Sequence, residues 1–429
     1  PNIFGAAPIA SYWINHSRLY RESRIVVISS EHYPLCDRAS LWLKPNPGTT
    51  PLLLQAMAKQ ISQLGLDAKL ESDDEEGAAW RGSLTSLDME AAAETTGISV
   101  EQIRQAAIIW VTGNVDGRID RPEGGFPPAA IYHTAARQNA PLRTADYPAM
   151  TPLTDSAGDA EAIAAMCANL SMLTGNLGHP GGGVASPRGP ANYQGTTDMG
   201  CVASYLPGDF AVDDGAARAR FEAAWLPRWA ERAQTSNGFL PVQSLPQKPG
   251  LAGEELVAAI EDGRIKAMFI EDGFGKAEAL VDSRLEAVLP KLELLIVAAA
   301  FESPLTAHAH VVLPQTLYIE KDGTFTNFDR TVQRVRAAVP AMGDSRSAFD
   351  IITTLAQRMG YGMDYGHPSH VMAEISRLVR GYAGVTYARL ERGGIVTPVS
   401  GFGATSETVL GSGGDSQRPL AAHFAAISA

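Results

Sequence analysis

The chain has 429 residues, enough for two lobes or one large α/β unit, and 45% of them are hydrophobic, so it can bury a sizeable core. With 35 basic residues against 47 acidic ones its net charge is −12, which argues against nucleic acid and against a basic membrane-surface patch. No stretch approaches the roughly 18–20 apolar residues of a membrane span, so any membrane connection is expected to run through partner subunits.

The start at Pro1, in a loop-like Asn2-Ile3-Phe4-Gly5, is expected of one piece of a longer polypeptide. Trp13–Tyr20 has helical spacing, Arg24–Ser29 is a β-branched run of buried-strand type, and Leu41–Leu43 suggests a second short strand. Pro51–Leu64 predicts a helix with proline in its first turn and Gly65 after its end. The acidic run Glu71–Gly77 reads as a solvated loop. Ser86–Trp110 contains two helical pieces, the second capped by Ser99. Gly113–Pro128 reads as a loop before a strand at Ala129–His133, and a helix over Gly158–Leu173 opens into a glycine-rich segment, Thr174–Gly208.

Residues Ala211–Gly250 form a polar, Trp-containing stretch without clear periodicity and read as an irregular insertion. After it a β-α-β alternation returns. Gly253–Gly263 reads as a helix, Ile265–Glu271 as a strand, Ala277–Leu289 as a helix and Leu292–Ala298 as a strand. Ser345–Met359 predicts a further helix with Gly360 in the position after its end, and the last ~30 residues are Gly/Ser-rich and expected to be irregular. The resulting organisation is a first α/β lobe over 1–208, an insertion over 209–250, a second α/β lobe over 251–400 and a tail over 401–429.

Cys36, Cys167 and Cys201 lie far apart and share no C-x-x-C spacing, so this chain offers no iron–sulfur or structural zinc site of its own. Their sparse, odd count reads as a reducing cytosolic setting with buried thiols.

Two segments are more specific. Asn169–Gly208 reads NLSMLTGNLGHPGGGVASPRGPANYQGTTDMGCVASYLPG, and Ala307–Arg336 reads AHAHVVLPQTLYIEKDGTFTNFDRTVQRVR. Both resemble the molybdopterin oxidoreductase family, most closely its formate dehydrogenase alpha subunits and the G subunit of NADH–quinone oxidoreductase, respiratory complex I. The resemblance runs in order from Asn2 to about Pro398. It implies the formate dehydrogenase/DMSO reductase-type fold, with two Rossmann-like parallel-sheet lobes around a crevice. In active members two molybdopterin guanine dinucleotides lie across that crevice. The carboxy-terminal cap domain that closes over the pterins is expected to be absent here.

Several positions match what the resemblance implies for a cofactor site: Asn2, Gly48, Thr49 and Gln194 for the pterin dinucleotide. Arg188 corresponds to an arginine that sits over the metal and would orient an anionic substrate. Other positions depart from the family. Ser29-Ser30-Glu31 stands where an Asp-Pro-Arg group is usual, and Thr50 where an aspartate is. Asp272-Gly273-Phe274-Gly275 replaces a Gly-Glu-Asn-Pro turn, Ala298-Ala299 replaces Gln-Asp, Ser303-Pro304-Leu305 replaces a Thr-Glu-Thr stretch, and Pro190 stands for a glutamine. A lost polar ligand group costs roughly 1–3 kcal/mol, and here several change together in both halves of the crevice.

Other constellations carry plainer readings. His308 and His310, at i, i+2, would share one strand face but have no further metal ligands near them in sequence. His179-Pro180-Gly181-Gly182-Gly183 could cradle an anion but matches a structural turn of the family. Glu320–Asn327 reads as a turn at Gly323 plus a solvated face.

The expectation is therefore a vestigial molybdopterin-oxidoreductase-like scaffold in a complex I G-type subunit, without molybdopterin or metal. It would be peripheral to the membrane on the cytoplasmic side and bound to other subunits of a redox complex. Iron–sulfur clusters would lie upstream or in partners, and Arg188 and the matching cofactor positions would be unoccupied survivals. The alternatives are a fragment of an active molybdopterin-dependent formate dehydrogenase-like enzyme, or the related subunit of another quinone-reducing complex.

Overall fold

The structure is a computed structural model and describes residues 8–68, 75–119, 127–132, 157–176, 182–185, 191–233, 243–272 and 283–397. Helix α1 (Pro8–Tyr20) leads into strand β1 (Val26–Ile28), which pairs in parallel with β2 (Leu41–Leu43), Val26 opposite Leu41 and Ile28 opposite Leu43. Helix α2 (Thr50–Gln63) starts with Pro51 in its first turn and is the hub of this region. Its Leu53 and Ile61 are wholly buried, and such side chains contribute roughly 1.5–3 kcal/mol each.

Around α2 pack α3 (Glu75–Ser86), α4 (Met89–Thr96) and α5 (Val100–Thr112). Residues 75–77 are thus helical and not part of a loop as the acidic run suggested, and 71–74 lie outside the described residues. Asp88 caps α4 by accepting from the N–H groups of Glu90 and Ala91, and Ser99 with Gln102 forms a capping box on α5. Such caps contribute about 1 kcal/mol each. Lys59 of α2 donates to the carbonyls of Thr85 and Leu87 at 2.9 and 2.7 Å, tying the end of α3 to the hub.

Strand β3 (Ala130–Tyr132), helix α6 (Ala157–Leu173) and strand β4 (Gly183–Ala185) follow, with β3 and β4 parallel and α6 against α2. Short helix α7 (Tyr193–Asp198) and a two-residue hairpin, β5 (Tyr205–Leu206) with β6 (Phe210–Ala211), then lead to α8 (Gly215–Ala233). The expected irregular insertion is therefore corrected over 215–233. Phe221, Trp225 and Trp229 at i, i+4 and i+8 form one apolar face, with ring centroids 5.1 and 5.9 Å apart, and Trp229 meets Tyr361 at 5.2 Å. The exposed Pro227 inside the helix and its many charges hid that period from the sequence reading.

The third parallel sheet is ordered β7-β8-β9. It is built from α9 (Gly253–Glu261), β7 (Ala267–Asp272), α10 (Ser283–Val288), β8 (Leu294–Ala299), α11 (Pro304–His308) and β9 (Val311–Pro314). Its core holds Ile260, Leu289, Leu295, Val297 and Leu305. An antiparallel sheet completes the chain: β10 (Gly323–Thr326), β11 (Thr331–Val335) and, after α12 (Ala348–Arg358), α13 (Pro368–Leu378) and α14 (Tyr387–Leu390), strand β12 (Ile395–Val396). Leu206, Phe221, Val332, Met372 and Tyr382 share its core, and Gly360 follows α12 at φ +86°.

Glu320–Asn327 is corrected by this sheet. Gly323 opens a strand and makes no turn, Thr326 is buried, and Glu320 accepts from the Leu317 N–H at 2.8 Å. Asp322 pairs with the buried Arg334, whose guanidinium also lies 4.0 Å from the Tyr387 ring. The pairing of β10 with β11, and of Asp322 with Arg334 across it, is set by residues remote in sequence, which local composition could not reveal. Overall the α/β class holds, with parallel pairing in β1–β2, β3–β4 and β7–β8–β9.

Candidate functional site

In parallel α/β sheets ligands are read at the carboxyl ends of the strands, so those ends come first. At the end of β1, Ser29 is buried and its hydroxyl is consumed by its own turn, donating to the Glu31 carbonyl at 2.8 Å and accepting the Glu31 N–H at 3.2 Å. The Trp42 indole N–H donates to the Ser29 carbonyl at 3.1 Å. His32 Nε2 meets Asp37 Oδ1 at 2.7 Å, and its ring abuts Trp42 at 5.3 Å. Beside them the Tyr33 hydroxyl is pushed up to about 12 by burial and then by the neighbouring Cys36. This loop is closed on itself.

Gly48 holds φ +76°, a conformation costly for any residue with a Cβ, and so lets the chain turn into α2. Thr49 donates its hydroxyl to the Asn46 carbonyl at 2.7 Å, and Asn46 is held by Thr95 and Thr96. Thr50 is the first residue of α2. Two of the expected cofactor-binding positions, Gly48 and Thr49, therefore sit together at one helix start, a place suited to an anion, with the Thr49 hydroxyl already bonded to the Asn46 carbonyl.

The ends of β7, β8 and β9 differ. Ala298 and Ala299 are buried and bring only methyl groups. Asp272 is buried, and Glu271 accepts a hydrogen bond from the Gln315 amide. The Gln315 carbonyl oxygen and the Thr316 hydroxyl are buried with no hydrogen-bond partner among the described residues. Partial burial of its side chain, and then the charge of Glu271, raise the Cys201 thiol above its ordinary range.

The glycine-rich segment converges on a third place, which sequence reasoning missed. Asp198, wholly buried, accepts from Gln194 Nε2 at 2.7 Å, from the Tyr382 hydroxyl at 2.7 Å and from Arg330 at 3.4 Å. Tyr382 also meets the Thr326 hydroxyl at 2.9 Å, and Thr326 N–H donates to Asn192 Oδ1 at 2.8 Å. Burial, and then the Asp198 carboxylate, drive the Tyr382 hydroxyl above its ordinary range. Gln194 thus turns inward, toward a network that joins residues 184 positions apart. No local signal marks it, because the partners of Asp198 are too remote in sequence to be named.

Asn2, His179, Arg188, Pro190 and Phe274 lie outside the described residues. Of the glycine turn, Gly182 is described: a Cβ there would meet the Asn176 carbonyl oxygen at 2.7 Å, so close backbone packing requires glycine. His308 and His310 do not share a strand face. His308 ends α11 and lies 3.7 Å from Glu286, whereas His310 accepts the Leu295 N–H at 2.9 Å, because Pro304 starts a helix where the strand reading assumed extended chain. Cys36 and Cys167 are buried, but Cys201 is exposed, contrary to the expectation for all three. Among the described residues no group of three or more His, Cys, Asp or Glu side chains is placed to hold a metal. None of their helices is long and apolar enough to cross a membrane.

A guanosine at such strand ends needs acceptors for its base N–H groups and its ribose hydroxyls. Ala298 and Ala299 do not supply them, and the Ser29 hydroxyl is spent on its own turn. The described strand ends therefore fit the dinucleotide ends of a molybdopterin cofactor poorly, the orphaned atoms of Gln315 and Thr316 being the exception.

Parallel sheets with helices between their strands define the class, a parallel α/β protein. Residues 1–358 match the molybdopterin oxidoreductase family, and the chain belongs to it. It is 30% identical over 394 residues to the Bacillus subtilis protein named "Probable oxidoreductase YjgC", covering 90% of this chain and 34% of that one. A second B. subtilis protein, "Putative formate dehydrogenase YrhE", is 30% identical over 399 residues, 91% of this chain and 36% of that protein. The chain thus spans about a third of the length of the curated relatives it matches. Acetylene hydratase from Pelobacter acetylenicus shares the fold with a TM-score of 0.56 at 15% identity, over 91% of this chain and 50% of that one.

Proposed function

We propose that this chain is a scaffold domain that has kept the molybdopterin oxidoreductase fold without the cofactor, as the G-type subunit of an NADH–quinone oxidoreductase does. The carrying observation is the pair of strand ends where guanosines would be read. One offers a hydroxyl spent on its own turn, Ser29, and the other offers two buried alanines, Ala298 and Ala299. At roughly 1–3 kcal/mol per lost ligand group, such changes in both sheets together would remove most of the selectivity for a guanine dinucleotide. Gln194 supports the reading, since its amide is committed to Asp198. In this role the chain does no chemistry. It supports neighbouring subunits that carry electrons from NADH toward quinone, peripheral to the membrane on its cytoplasmic side.

A second reading is a segment of a molybdopterin-dependent formate dehydrogenase-like enzyme. It is favoured by the names of the matching relatives and by the buried Gln315 and Thr316 oxygens without partners, which are the trace an absent ligand leaves. Under that reading the cofactor supplies the redox chemistry, and Arg188 holds the anionic substrate. The deciding measurement is elemental analysis of the full protein purified in its native assembly, with formate-dependent dye reduction. Molybdenum and tungsten far below one equivalent per chain, with no formate activity, are expected. Near-stoichiometric metal, with activity abolished by Arg188→Ala, would overturn the scaffold in favour of the enzyme.

A further inference from the structure

Strand β9 is fastened to β8 at its start by a side chain. The ladder proper begins where Ile296 faces Val311, and the rung before it is made by Leu295 and His310. The His310 N–H donates to the Leu295 carbonyl at 2.9 Å, and His310 Nδ1 accepts the Leu295 N–H at 2.9 Å in return. Regular parallel pairing would offer that N–H a backbone carbonyl. Here α11 ends at His308, and only Ala309, extended at ψ 137°, separates it from His310, so the imidazole supplies the acceptor instead.

The two partners sit in opposite surroundings. Leu295 is wholly buried in the core it shares with Ile260, Leu289 and Val297, whereas His310 is exposed. Protons in solution therefore reach the ring, while the N–H it serves is shut away from water. Imidazole is the side chain that changes charge between pH 5 and 8. A neutral ring with its proton on Nε2 leaves the Nδ1 lone pair to Leu295. An imidazolium carries a proton on both nitrogens, and Nδ1–H then meets the Leu295 N–H donor against donor.

The charged groups on the surrounding elements do not replace that bond. Where β7 and β8 begin, Lys266 and Glu293 pair with each other at 2.7 Å, and Glu286 of α10 lies 3.7 Å from His308 of α11. None of these forms an ion pair with the His310 ring among the described residues. A proton on His308 works in the other direction, since it strengthens the contact with Glu286. Strand β9 has only four residues and, among the described residues, pairs with β8 alone, so its first rung is a large part of what holds it. Its far end leads into Gln315, whose amide reaches Glu271 of β7 across the sheet.

We propose that His310 is a proton-operated latch on β9: neutral, it holds the start of the strand on β8, and protonated, it releases the Leu295 N–H and loosens the junction of α11 with β9. The latch is independent of whether a pterin is bound. It is closed where imidazole is neutral and opens as pH falls, because the unfolded or unlatched chain takes up a proton without losing a bond. The test is hydrogen–deuterium exchange at the Leu295 amide of the full protein between pH 5 and 8, each rate divided by the intrinsic rate at that pH. Protection should fall about tenfold on acidification. His310→Asn keeps an acceptor oxygen at similar reach and takes up no proton, so it should abolish the pH dependence. His310→Ala should show low protection at every pH, and His308→Asn should leave the fall in place. Protection in the unaltered protein that is indifferent to pH overturns the latch, as does a fall that persists in His310→Asn or high protection in His310→Ala.

Discussion

Two places in this molecule bury polarity, and they do so in opposite ways. The Asp198 carboxylate gathers donors from remote parts of the chain: Gln194, Tyr382 and Arg330 close on it, and Thr326 and Asn192 extend the chain of bonds into β10. At the end of β9, by contrast, the Gln315 carbonyl and the Thr316 hydroxyl are buried with nothing to bond among the described residues. The first arrangement holds parts of the chain together that are remote in sequence. The second costs stability and is the pattern a ligand or ordered water would relieve. The difference separates polarity kept for the fold from polarity left over from, or reserved for, binding.

The largest expected effect is at the closed network. Asp198→Leu strands the Arg330 guanidinium in the interior and should cost about 3–5 kcal/mol, read from urea denaturation of the full chain. A loss below about 1 kcal/mol would mean that the network does not hold the fold.

Next comes pH. The Tyr382 hydroxyl is raised above its ordinary value of 10.0, so above that pH the unfolded chain sheds a proton that the folded chain keeps. Its contribution is whole below pH 10 and falls as pH rises, at up to about 1.4 kcal/mol per pH unit. Comparing wild type with Tyr382→Phe between pH 9 and 11 isolates it, since the variant should lose that part of the slope. Equal slopes would contradict the assignment.

The smallest effect is at the open site. Thr316→Val removes a hydroxyl that has no partner, so thermal stability should stay within about 1 kcal/mol of wild type or rise slightly. A clear loss in the purified assembly would reveal a bound partner at the end of β9, and would strengthen the enzyme reading at the scaffold's expense.

How much of this was legible in the sequence follows the range of the forces involved. Leu41–Leu43, the helix from Pro51 and the Ser99 cap were readable because strand, proline and capping preferences act over a few residues. The family segments were readable because each extends over tens of residues, and the replaced positions Ser29, Ala298 and Ala299 could be placed from them. What the sequence withheld was partnership. Gln194 was read as a matching cofactor position, and its bond to Asp198 was not foreseen. Glu320–Asn327 was expected in solvent, yet it contains a strand paired with β11.

The exposure of Cys201 has a practical consequence. Cys36 and Cys167 are buried, so Cys201 is the accessible thiol of these 429 residues, and it lies where the electrostatics of Glu271 reach it. A spin label or fluorophore would attach there without mutagenesis, slowly near neutral pH and faster as alkali generates the thiolate. Placed beside the ends of the β7-β8-β9 sheet, such a reporter would sense the arrival of a nucleotide, a pterin or a neighbouring subunit as a change in its own mobility.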